Sequence, residues 1–319
     1  MDLRGALGIA LPQEYAKEGV KIDGKIFEEN EDLENYNPKI IPSDFTSQIE
    51  GNQYFDLPVG TVLHFEAKTE DGLEKITIEI LPETVEVNGV ETRVYLDTVY
   101  LDGELVEQTR DYIAQNRKTG DVWYFGEDVN NYEDGKLADH DGAWLYGRDG
   151  ALPGIWVKAN PKVGEIYLQE YLEGEAEDMV EILSLSETIN VGGKTYSNCL
   201  KTYDFTPLDE HSKEHKYYCP EVGNLVYLEH LVDGDVLNLI ARENNEESNN
   251  TILDPYKSED DVKIIQNFYE DKEDSNEGES GEDSEDEEDF EEILEIGGAG
   301  LVGLLIGGFG VFFWRRKQK

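Results

Sequence analysis

The sequence predicts an all-β fold: an antiparallel meander forming a curved sheet or half-barrel, or else a sandwich, followed by one C-terminal transmembrane helix. Two observations predict the sheet. Between residues 51 and 241, short runs rich in Val, Ile, Tyr, Thr and Leu are separated by tight-turn dipeptides, and several runs carry apolar residues at every second position. An uncharged run of 19 residues near the C-terminus predicts the helix.

The turn dipeptides set the order of the predicted strands. Isoleucines alternate in residues 75–80, which indicates one buried face. Each turn dipeptide lies between two such runs, as expected for β-hairpins. The dipeptides are Asn88-Gly89, Asp102-Gly103, Thr119-Gly120, Gly192-Gly193 and Asp233-Gly234.

One segment interrupts this pattern and is predicted to be a long loop. It lies between strands expected at residues 121–125 and around 163–171, and it is rich in Gly, Asp and aromatic residues. Ordered loops of this length are uncommon in compact domains and often carry function. The candidate binding residues in and beside it are Trp123, Tyr124, Asp128, Asp139, His140, Asp141, Trp144 and Asp149.

Two interpretations of these residues stay open. The aspartates Asp128, Asp139, Asp141 and Asp149, together with Asp134, could supply oxygen ligands to calcium, although no EF-hand spacing is present. Asp139-His140-Asp141 could instead line a polar binding surface with Trp144. Ordinary packing in a sheet is the alternative role for the aromatic residues.

The two cysteines are predicted to form a disulfide. Residues 196–205 and 214–219 are predicted strands joined by a polar connection, and the midpoint between Cys199 and Cys219 falls at its centre. The two cysteines would therefore face each other across a hairpin. A disulfide would require an oxidising compartment.

A second motif, His211-Ser212-Lys213-Glu214-His215, matches the H-x-x-E-H pattern of inverted zinc proteases. That chemistry requires the two histidines one turn apart on a helix. Here the motif follows Pro207 and runs into a predicted strand, so we interpret it as a coincidence. No nucleophile elbow, phosphate-binding loop or dinucleotide fingerprint occurs in residues 1–269.

The charge of the chain excludes nucleic acid as a partner. The 72 Asp and Glu against 27 Lys and Arg give a formal net charge of −45, whereas phosphate binding needs a basic surface. Residues 270–292 hold 15 of these acids and one base, Lys272, so residues 243–292 are predicted to be an acidic, largely disordered linker. Residues 49–242, predicted to be the β-rich domain, are strongly acidic as well.

The C-terminal residues 293–319 are predicted to be a membrane anchor and a basic tail. Ile296 to Trp314 carries no charge and is long enough to cross a hydrocarbon core of about 30 Å. Arg315 and Arg316 follow directly and predict a cytoplasmic C-terminus by the positive-inside rule. Ala299, Gly303 and Gly307 recur every four residues, so helix–helix dimerisation is a further expectation.

This orientation places the β-rich domain outside the cytoplasm. Residues 1–48 are predicted to be a lead-in segment. Residues 1–11 carry an apolar stretch shorter than that of an ordinary signal peptide. We interpret them as the remnant of a truncated signal.

Several sequence patterns resemble an uncharacterised family of bacterial secreted or envelope β-rich proteins. They are the run Trp123-Tyr124-Phe125-Gly126-Glu127-Asp128, then Pro153-Gly154-Ile155, Ala159-Asn160-Pro161-Lys162-Val163-Gly164 and Ala176-Glu177-Asp178-Met179. The resemblance covers roughly residues 51–240 and implies an exported β domain. It implies no known activity.

The leading functional hypothesis is a membrane-anchored, extracytoplasmic binding or structural module without catalysis. A carrier or sensor of an apolar, lipid-like ligand in a half-barrel cavity is the alternative, and a metal-dependent hydrolase comes third. The membrane is the one expected partner. No cofactor is expected, calcium being the sole candidate, and the sequence identifies no ligand or protein partner.

Overall fold

The computed structural model describes residues 36–209 and 211–244 with their side chains, and the backbone of residues 20–22, 25–27, 305–306 and 309–310. Within these ranges the chain forms one 3-10 turn, Pro42–Asp44, and twenty strands. In chain order the strands are β1 (Val20–Ile22), β2 (Lys25–Phe27), β3 (Phe45–Thr46), β4 (Thr61–Lys68), β5 (Leu73–Val87), β6 (Val90–Leu101), β7 (Glu104–Asn116), β8 (Val122–Glu133), β9 (Lys136–Asp139), β10 (Trp144–Leu145), β11 (Leu152–Val157), β12 (Ile166–Leu168), β13 (Glu170–Tyr171), β14 (Met179–Val191), β15 (Lys194–Phe205), β16 (Lys213–Cys219), β17 (Asn224–His230), β18 (Val236–Asn244), β19 (Leu305–Ile306) and β20 (Phe309–Gly310).

Thirteen strands form one antiparallel path whose two ends meet, giving a nearly closed barrel. Its order is β12-β14-β15-β16-β17-β18-β4-β5-β6-β7-β8-β11-β13. Residues 166–171 close it, because β12 pairs with β14 while β13, directly after Gln169, pairs with β11. The predicted all-β meander is confirmed, and its form is this barrel.

The closure depends on a close backbone approach at Gly154. A Cβ atom at this position would lie 2.3 Å from the carbonyl carbon and oxygen of Gln169. The Gln169 side chain also donates a hydrogen bond from Nε2 to the carbonyl of Trp156, at 3.2 Å. Glycine at position 154 therefore lets β11 pack directly against the closing segment.

The hairpins at Asn88-Gly89 and Asp102-Gly103 form where the sequence predicts them because both turn residues adopt positive φ. Asn88 and Gly89 have φ of 45° and 84°, and Asp102 and Gly103 have 51° and 88°. These angles match the twist of the flanking strands in two-residue hairpins. Each turn thus fixes the register of its hairpin, with Val87 opposite Val90 in the first.

Alternation along the strands produces two packed faces. The inward face holds a large apolar cluster, in which Phe55, Tyr95, Tyr124 and Trp156 pack ring against ring with centroids 4.9 to 6.1 Å apart. The opposite face of β5 to β8 is covered by a second cluster that includes Phe45. Phe45 comes from β3, which pairs with β7, so residues 36–48 pack against the barrel.

The segment predicted to be one long loop is largely built of strands. Strand β8 continues to Glu133, and β9, β10 and β11 all pair back onto it. A further tight turn at Asp134-Gly135, with φ of 51° and 71°, makes the β8–β9 hairpin. The prediction failed because residues 126–139 contain few β-branched or aromatic side chains, so sheet pairing there does not follow from composition.

The structure gives little of the predicted C-terminal anchor. Among the described residues, no helix is both long enough and apolar enough to span a bilayer. Within the predicted span, Leu305–Ile306 and Phe309–Gly310 pair as two short strands. The linker beyond Asn244, residues 1–11, and the anchor residues Ile296, Ala299, Gly303, Gly307, Trp314, Arg315 and Arg316 lie outside the described residues.

Candidate binding site in the acidic interior of the barrel

A set of buried carboxylates occupies the barrel interior beside the apolar cluster. These side chains come from successive strands of the barrel or from the segments next to them, and each is less than a tenth exposed. We call this set, together with the buried bases Lys216 and His230, the acidic belt. Its carboxylates are Glu74, Asp97, Glu107, Asp111, Glu127, Glu170, Asp178, Asp204 and Glu214.

One side of the belt has its negative charge compensated. Lys216, fully buried on β16, places Nζ 3.0 Å from Asp204 Oδ2 and 3.6 Å from Glu214 Oε2. His230 Nδ1 lies 2.9 Å from Glu214 Oε1. Burial opposes the charge on Lys216, yet its two carboxylate partners outweigh burial and raise the pKa of the ammonium. This side is a cluster of ion pairs, in which each base lies within 3.6 Å of a carboxylate oxygen.

The pKa of His230 moves in the same direction. Its burial disfavours the charged imidazolium, but the hydrogen bond that it donates to Glu214 and the negative charges around it outweigh burial and raise the pKa of His230. Asp204 and Glu214 lie directly opposite each other on β15 and β16, as Glu214 and His230 do on β16 and β17. Lys216 and His230 therefore compensate the charge of carboxylates that would otherwise repel across adjacent strands.

The other side of the belt has no such base. We call Asp97, Glu107, Asp111 and Glu127, on β6, β7 and β8, the uncompensated arc. Asp111 and Glu127 lie directly opposite each other. The charges that act most strongly on Asp97, Glu107 and Glu127 are those of other carboxylates. Like charges in this arrangement repel across the sheet.

Each arc member has at least one carboxylate oxygen without a hydrogen bond within the described part of the chain. Asp97 is 1% exposed and forms no hydrogen bond of normal geometry through either oxygen; the backbone N–H of Thr98 is the donor that acts on it. Oε2 of Glu107, Oδ2 of Asp111 and Oε1 of Glu127 are likewise without partners. Such oxygens cost several kcal/mol if they are charged and buried alone.

Burial is the main cause of the raised pKa values in the arc. It raises the pKa of Glu107 from 4.5 to about 8, against a hydrogen bond from the Thr109 hydroxyl to Oε1 at 2.8 Å that favours the ionised form. It also raises the pKa of Asp97 and of Glu127, where neighbouring carboxylates add to the effect. Glu74, next along the belt, has its pKa raised by burial to about 7.

Two aromatic side chains donate hydrogen bonds to carboxylates of the acidic belt. The Tyr124 hydroxyl donates to Asp111 Oδ1 at 2.6 Å, and the Trp144 indole N–H donates to Glu170 Oε2 at 2.9 Å. The two rings meet edge to face, 5.3 Å apart. These contacts leave Asp111 Oδ2 and Glu170 Oε1 without partners among the described residues.

Of the eight candidate binding residues, the structure brings Tyr124 and Trp144 together inside the barrel, beside the belt. Trp123, next to Tyr124 on β8, points to the opposite face and packs against Phe45 with centroids 5.8 Å apart. Asp128 accepts a hydrogen bond from the Tyr112 hydroxyl. Burial raises the pKa of Asp128.

The remaining candidates lie around the β8–β9 hairpin and in a turn. Asp139 accepts a hydrogen bond from Asn131 Nδ2 at 2.6 Å and from the backbone N–H of Asp141, and His140 Nδ1 lies 2.7 Å from the Val129 carbonyl. Asp149 is exposed in a turn, with φ of 50°. The side chains of Asp139 and His140 therefore make local hydrogen bonds within the β8–β9 hairpin and the residues that follow it.

The metal hypotheses gain no geometric support. Among the described residues, no group of three or more His, Cys, Asp or Glu side chains is arranged to hold a metal ion. His211 lies in an exposed turn beside Asp209, whereas His215 lies on β16 and faces Glu229 at 3.4 Å. The H-x-x-E-H pattern is therefore not presented on a helix.

The structure joins Cys199 to Cys219 in a disulfide between β15 and β16, with an S–S distance of 2.05 Å. Both cysteines are fully buried. This is the pairing that the strand spacing predicts. A structural disulfide indicates an extracytoplasmic location.

The acidic belt is the feature that sequence reasoning missed. Strand β6 carries apolar residues on both faces. Asp97 is two residues from Tyr95 and from Val99, so its side chain lies on the same inward face as theirs. An acid inside a run that is apolar on both faces was the available signal. The high content of Asp and Glu in the whole chain concealed this signal, because a single aspartate within a strand is not unusual in such a composition.

No protein-family model and no curated protein matches the chain. Among solved structures, the chain is distantly similar to the 2.70 Å crystal structure of a "putative lipoprotein" from Parabacteroides distasonis ATCC 8503. The TM-score is 0.32 and the sequence identity 15%, and the match covers 60% of this chain and 98% of the other.

Proposed function

We propose that this chain is a non-catalytic, extracytoplasmic binding module held at the membrane by its C-terminal apolar segment, with a positively charged ligand bound in the acidic belt. The observation that carries the proposal is Asp97. This carboxylate is buried, makes no normal hydrogen bond among the described residues, and is surrounded by the charges of Asp111, Glu107 and Glu74. A cation is the group that would stabilise such a site.

The contrast within the belt supports this assignment. Where a base is present, at Lys216, the neighbouring carboxylates lie within ion-pair distance of it. In the uncompensated arc the same kind of carboxylate has no base, so the arc is the part of the interior where an external cation would be most stabilised. Binding there requires no chemical step, which agrees with the absence from the sequence of the motifs for nucleophilic or phosphoryl chemistry.

The tethered location rests on two observations of different kinds. The disulfide favours an oxidising compartment. The uncharged run 296–314, followed by four bases, favours a single membrane span with the C-terminus in the cytoplasm. Protease added to intact cells should remove the barrel and leave a C-terminal epitope tag protected. Protection of both parts would contradict this topology.

The binding proposal is tested by thermal unfolding of the full chain in detergent at pH 8 and physiological ionic strength. Calcium, magnesium, spermidine and a neutral polyol are compared at matched ionic strength, so that general screening is the same throughout. At least one cation should raise the melting temperature, because a ligand that binds the folded state alone stabilises it. The rise should be lost in Asp97→Asn and kept in Glu104→Gln, an exposed carboxylate at the start of β7.

The apolar-ligand carrier is the alternative, and the close packing of the apolar cluster weighs against it. Phe55 and Leu57 enter the apolar cluster from outside the strands, and Trp156 packs against Phe55, Tyr95 and Tyr124. A carrier would keep an apolar space for its ligand. Lipid that co-purifies in stoichiometric amounts, detected by mass spectrometry, would favour the carrier over our proposal.

A further inference from the structure

A cavity of about 440 Å³ opens at the end of the barrel where β16 and β18 end and β17 and β4 begin. None of its lining residues belongs to the acidic belt. Its volume lies within the range of about 300–1,000 Å³ that is usual for small-molecule sites. We propose that this cavity binds a small zwitterion, an amino acid or short peptide with both termini free, through Arg242 and Asp56. The site is additional to the cation site of the proposed function and does not rest on it.

A β-bulge in β18 directs Arg242 into this end of the barrel. The register of β18 against β4 shifts by one residue between Leu239 and Ala241. Before the shift, Leu239 lies on the inward face with the apolar cluster, so strict alternation would direct Arg242 outwards. The shift instead places Arg242 directly opposite Leu63, an inward residue of the same cluster. Bulges are frequent at the rims of barrels, where they redirect a side chain in this way.

Most of the hydrogen-bonding capacity of Arg242 is unused. Its Nη1 donates to the carbonyl of Val222, in the turn between β16 and β17, and this is its one hydrogen bond among the described residues. A guanidinium has five N–H donors in a planar fork. Because Arg242 is only partly buried, the bond to Val222 holds the side chain at the cavity wall and leaves donors that a ligand can reach. A carboxylate is the group that such a fork binds through two parallel hydrogen bonds.

Asp56 supplies the opposite charge at the same cavity. Its backbone N–H donates to the Gly223 carbonyl at 2.7 Å, and a Cβ atom at Gly223 would lie 2.9 Å from the Asp56 carbonyl oxygen, so the two backbones are in close contact. The Asp56 side chain is exposed and forms no hydrogen bond or ion pair, with Arg242 or with any other residue in the described ranges. Two opposite charges that line one cavity without pairing suit a ligand that carries both.

The rest of the wall provides room and further contacts for such a ligand. Pro58 and Pro220 line the cavity with apolar rings. A Cβ atom built on Gly51, also in the lining, would meet no atom within 4 Å, so the space beside it is open. Gln53 is exposed at the cavity and carries an amide that can both donate to and accept from a peptide group.

The charge of the whole chain favours a zwitterion over a simple ion. With a formal net charge of −45, the protein repels a ligand that is negatively charged overall, although Arg242 could bind its carboxylate. A simple cation would be repelled by Arg242 within the cavity. A zwitterion carries no net charge, and its carboxylate and ammonium can each approach the group of opposite sign.

The test is isothermal titration calorimetry of the full chain in detergent with L-alanyl-L-alanine as the probe, at about pH 6, where both termini of the dipeptide are ionised. Two blocked forms are compared with it. N-acetyl-L-alanyl-L-alanine lacks the ammonium, and L-alanyl-L-alaninamide lacks the carboxylate. We expect the dipeptide to bind wild type at a saturable site and each blocked form to bind at least about tenfold more weakly.

Two variants assign the ends of the ligand. Arg242→Gln and Asp56→Asn should each weaken binding of the dipeptide about tenfold. Arg242→Gln should also abolish the discrimination against the amide, and Asp56→Asn the discrimination against the acetylated form. Lys136→Gln and Asp71→Asn, at exposed positions, are the matched controls and should bind as wild type does. The melting temperature of each variant checks its fold, and the comparison of blocked probes on wild type does not depend on any variant.

The contrary results are equally defined. If the dipeptide shows no saturable binding to wild type, or binds no more tightly than both blocked forms, the proposal is wrong. If the acetylated form binds wild type as tightly as the dipeptide and loses affinity in Arg242→Gln, the cavity is a carboxylate site and the role of Asp56 is wrong. If neither variant changes the affinity for the dipeptide, the ligand binds elsewhere. The cation site is unaffected by each of these results, because its residues are different.

Discussion

Glu107→Gln should stabilise the protein at alkaline pH and leave it nearly unchanged in acid. Glu107 is 2% exposed, and Oε1 accepts the hydrogen bond from Thr109. Glutamine keeps an acceptor for that bond and has almost the same shape, but it cannot ionise. The substitution therefore removes the charge and little else.

The size of the effect follows from the raised pKa of Glu107, about 8 against the ordinary value of 4.5. Because the pKa is higher in the folded state, the penalty is absent below about pH 4.5 and grows as the pH rises towards 8. At about 1.4 kcal/mol per pKa unit, the difference in pKa between the folded and unfolded states lowers the free energy of unfolding by about 1 kcal/mol at pH 5 and about 4 kcal/mol at pH 8. The variant should recover these amounts.

Urea unfolding at pH 5 and pH 8 measures both values, since the midpoint and slope give the free energy of unfolding. Glu104→Gln, on the same strand but exposed, controls for the change in net charge. The reasoning would be refuted if Glu107→Gln shifted the stability equally at the two pH values. A control variant that gained as much at pH 8 would refute it as well.

Three further substitutions test other parts of the structure. Replacing Cys199 and Cys219 by serine removes a cross-link between residues 20 apart and should lower the free energy of unfolding by about 3 kcal/mol, read from the urea midpoint. Gly154→Ala places a Cβ atom 2.3 Å from the Gln169 carbonyl and should cost on the order of 3 kcal/mol, read from thermal unfolding. Lys216→Met leaves two buried carboxylates without their base and should cost about 3 to 5 kcal/mol at pH 8, and less in acid, in the same assay.

Each of these substitutions has a matched control. Reductant added to wild type should give the urea midpoint of the double serine variant, and an unchanged midpoint would contradict the role of the disulfide. Gly150→Ala meets no atom within 4 Å and has φ of 87°, so it should cost only about 1 kcal/mol. An equal loss in both glycine variants would contradict the tight approach at the closure. Lys136→Met, an exposed lysine on β9, should have little effect, and an effect as large as that of Lys216→Met would contradict the buried ion cluster.

The strands and turns could be predicted where local chemistry determines them. Asn-Gly and Asp-Gly dipeptides favour positive φ at two successive residues, so the hairpins at positions 88–89 and 102–103 follow from the sequence alone. The disulfide could be predicted for a similar reason, because a hairpin places residues equidistant from its centre opposite each other. Closure of the barrel could not be predicted, since it depends on contacts between Gly154 and Gln169 across the ends of the strand path.

The interior carboxylates could not be identified for a different reason. Which face of a strand is inward depends on register, and β-bulges change it along the chain. The register of β7 against β8 shifts between Asp111 and Ile113, opposite the residues around Gly126, where φ is 129°. An alternating pattern extended through that shift would assign Glu127 to the wrong face. The candidate residues Tyr124 and Trp144 were found, but as aromatic residues rather than as hydrogen-bond donors to the acidic belt.

The most direct test of the acidic belt is a carbon-13 NMR titration of its carboxyl groups, with and without spermidine. We predict that Glu107 titrates near pH 8 in the free protein, far above its ordinary pKa of 4.5, and that a bound cation lowers the midpoint of its titration. The assignment is checked by the loss of the signal in Glu107→Gln. A Glu107 carboxyl that titrates near its ordinary pKa of 4.5, with or without an added cation, would contradict the claim that the barrel holds an uncompensated acidic site.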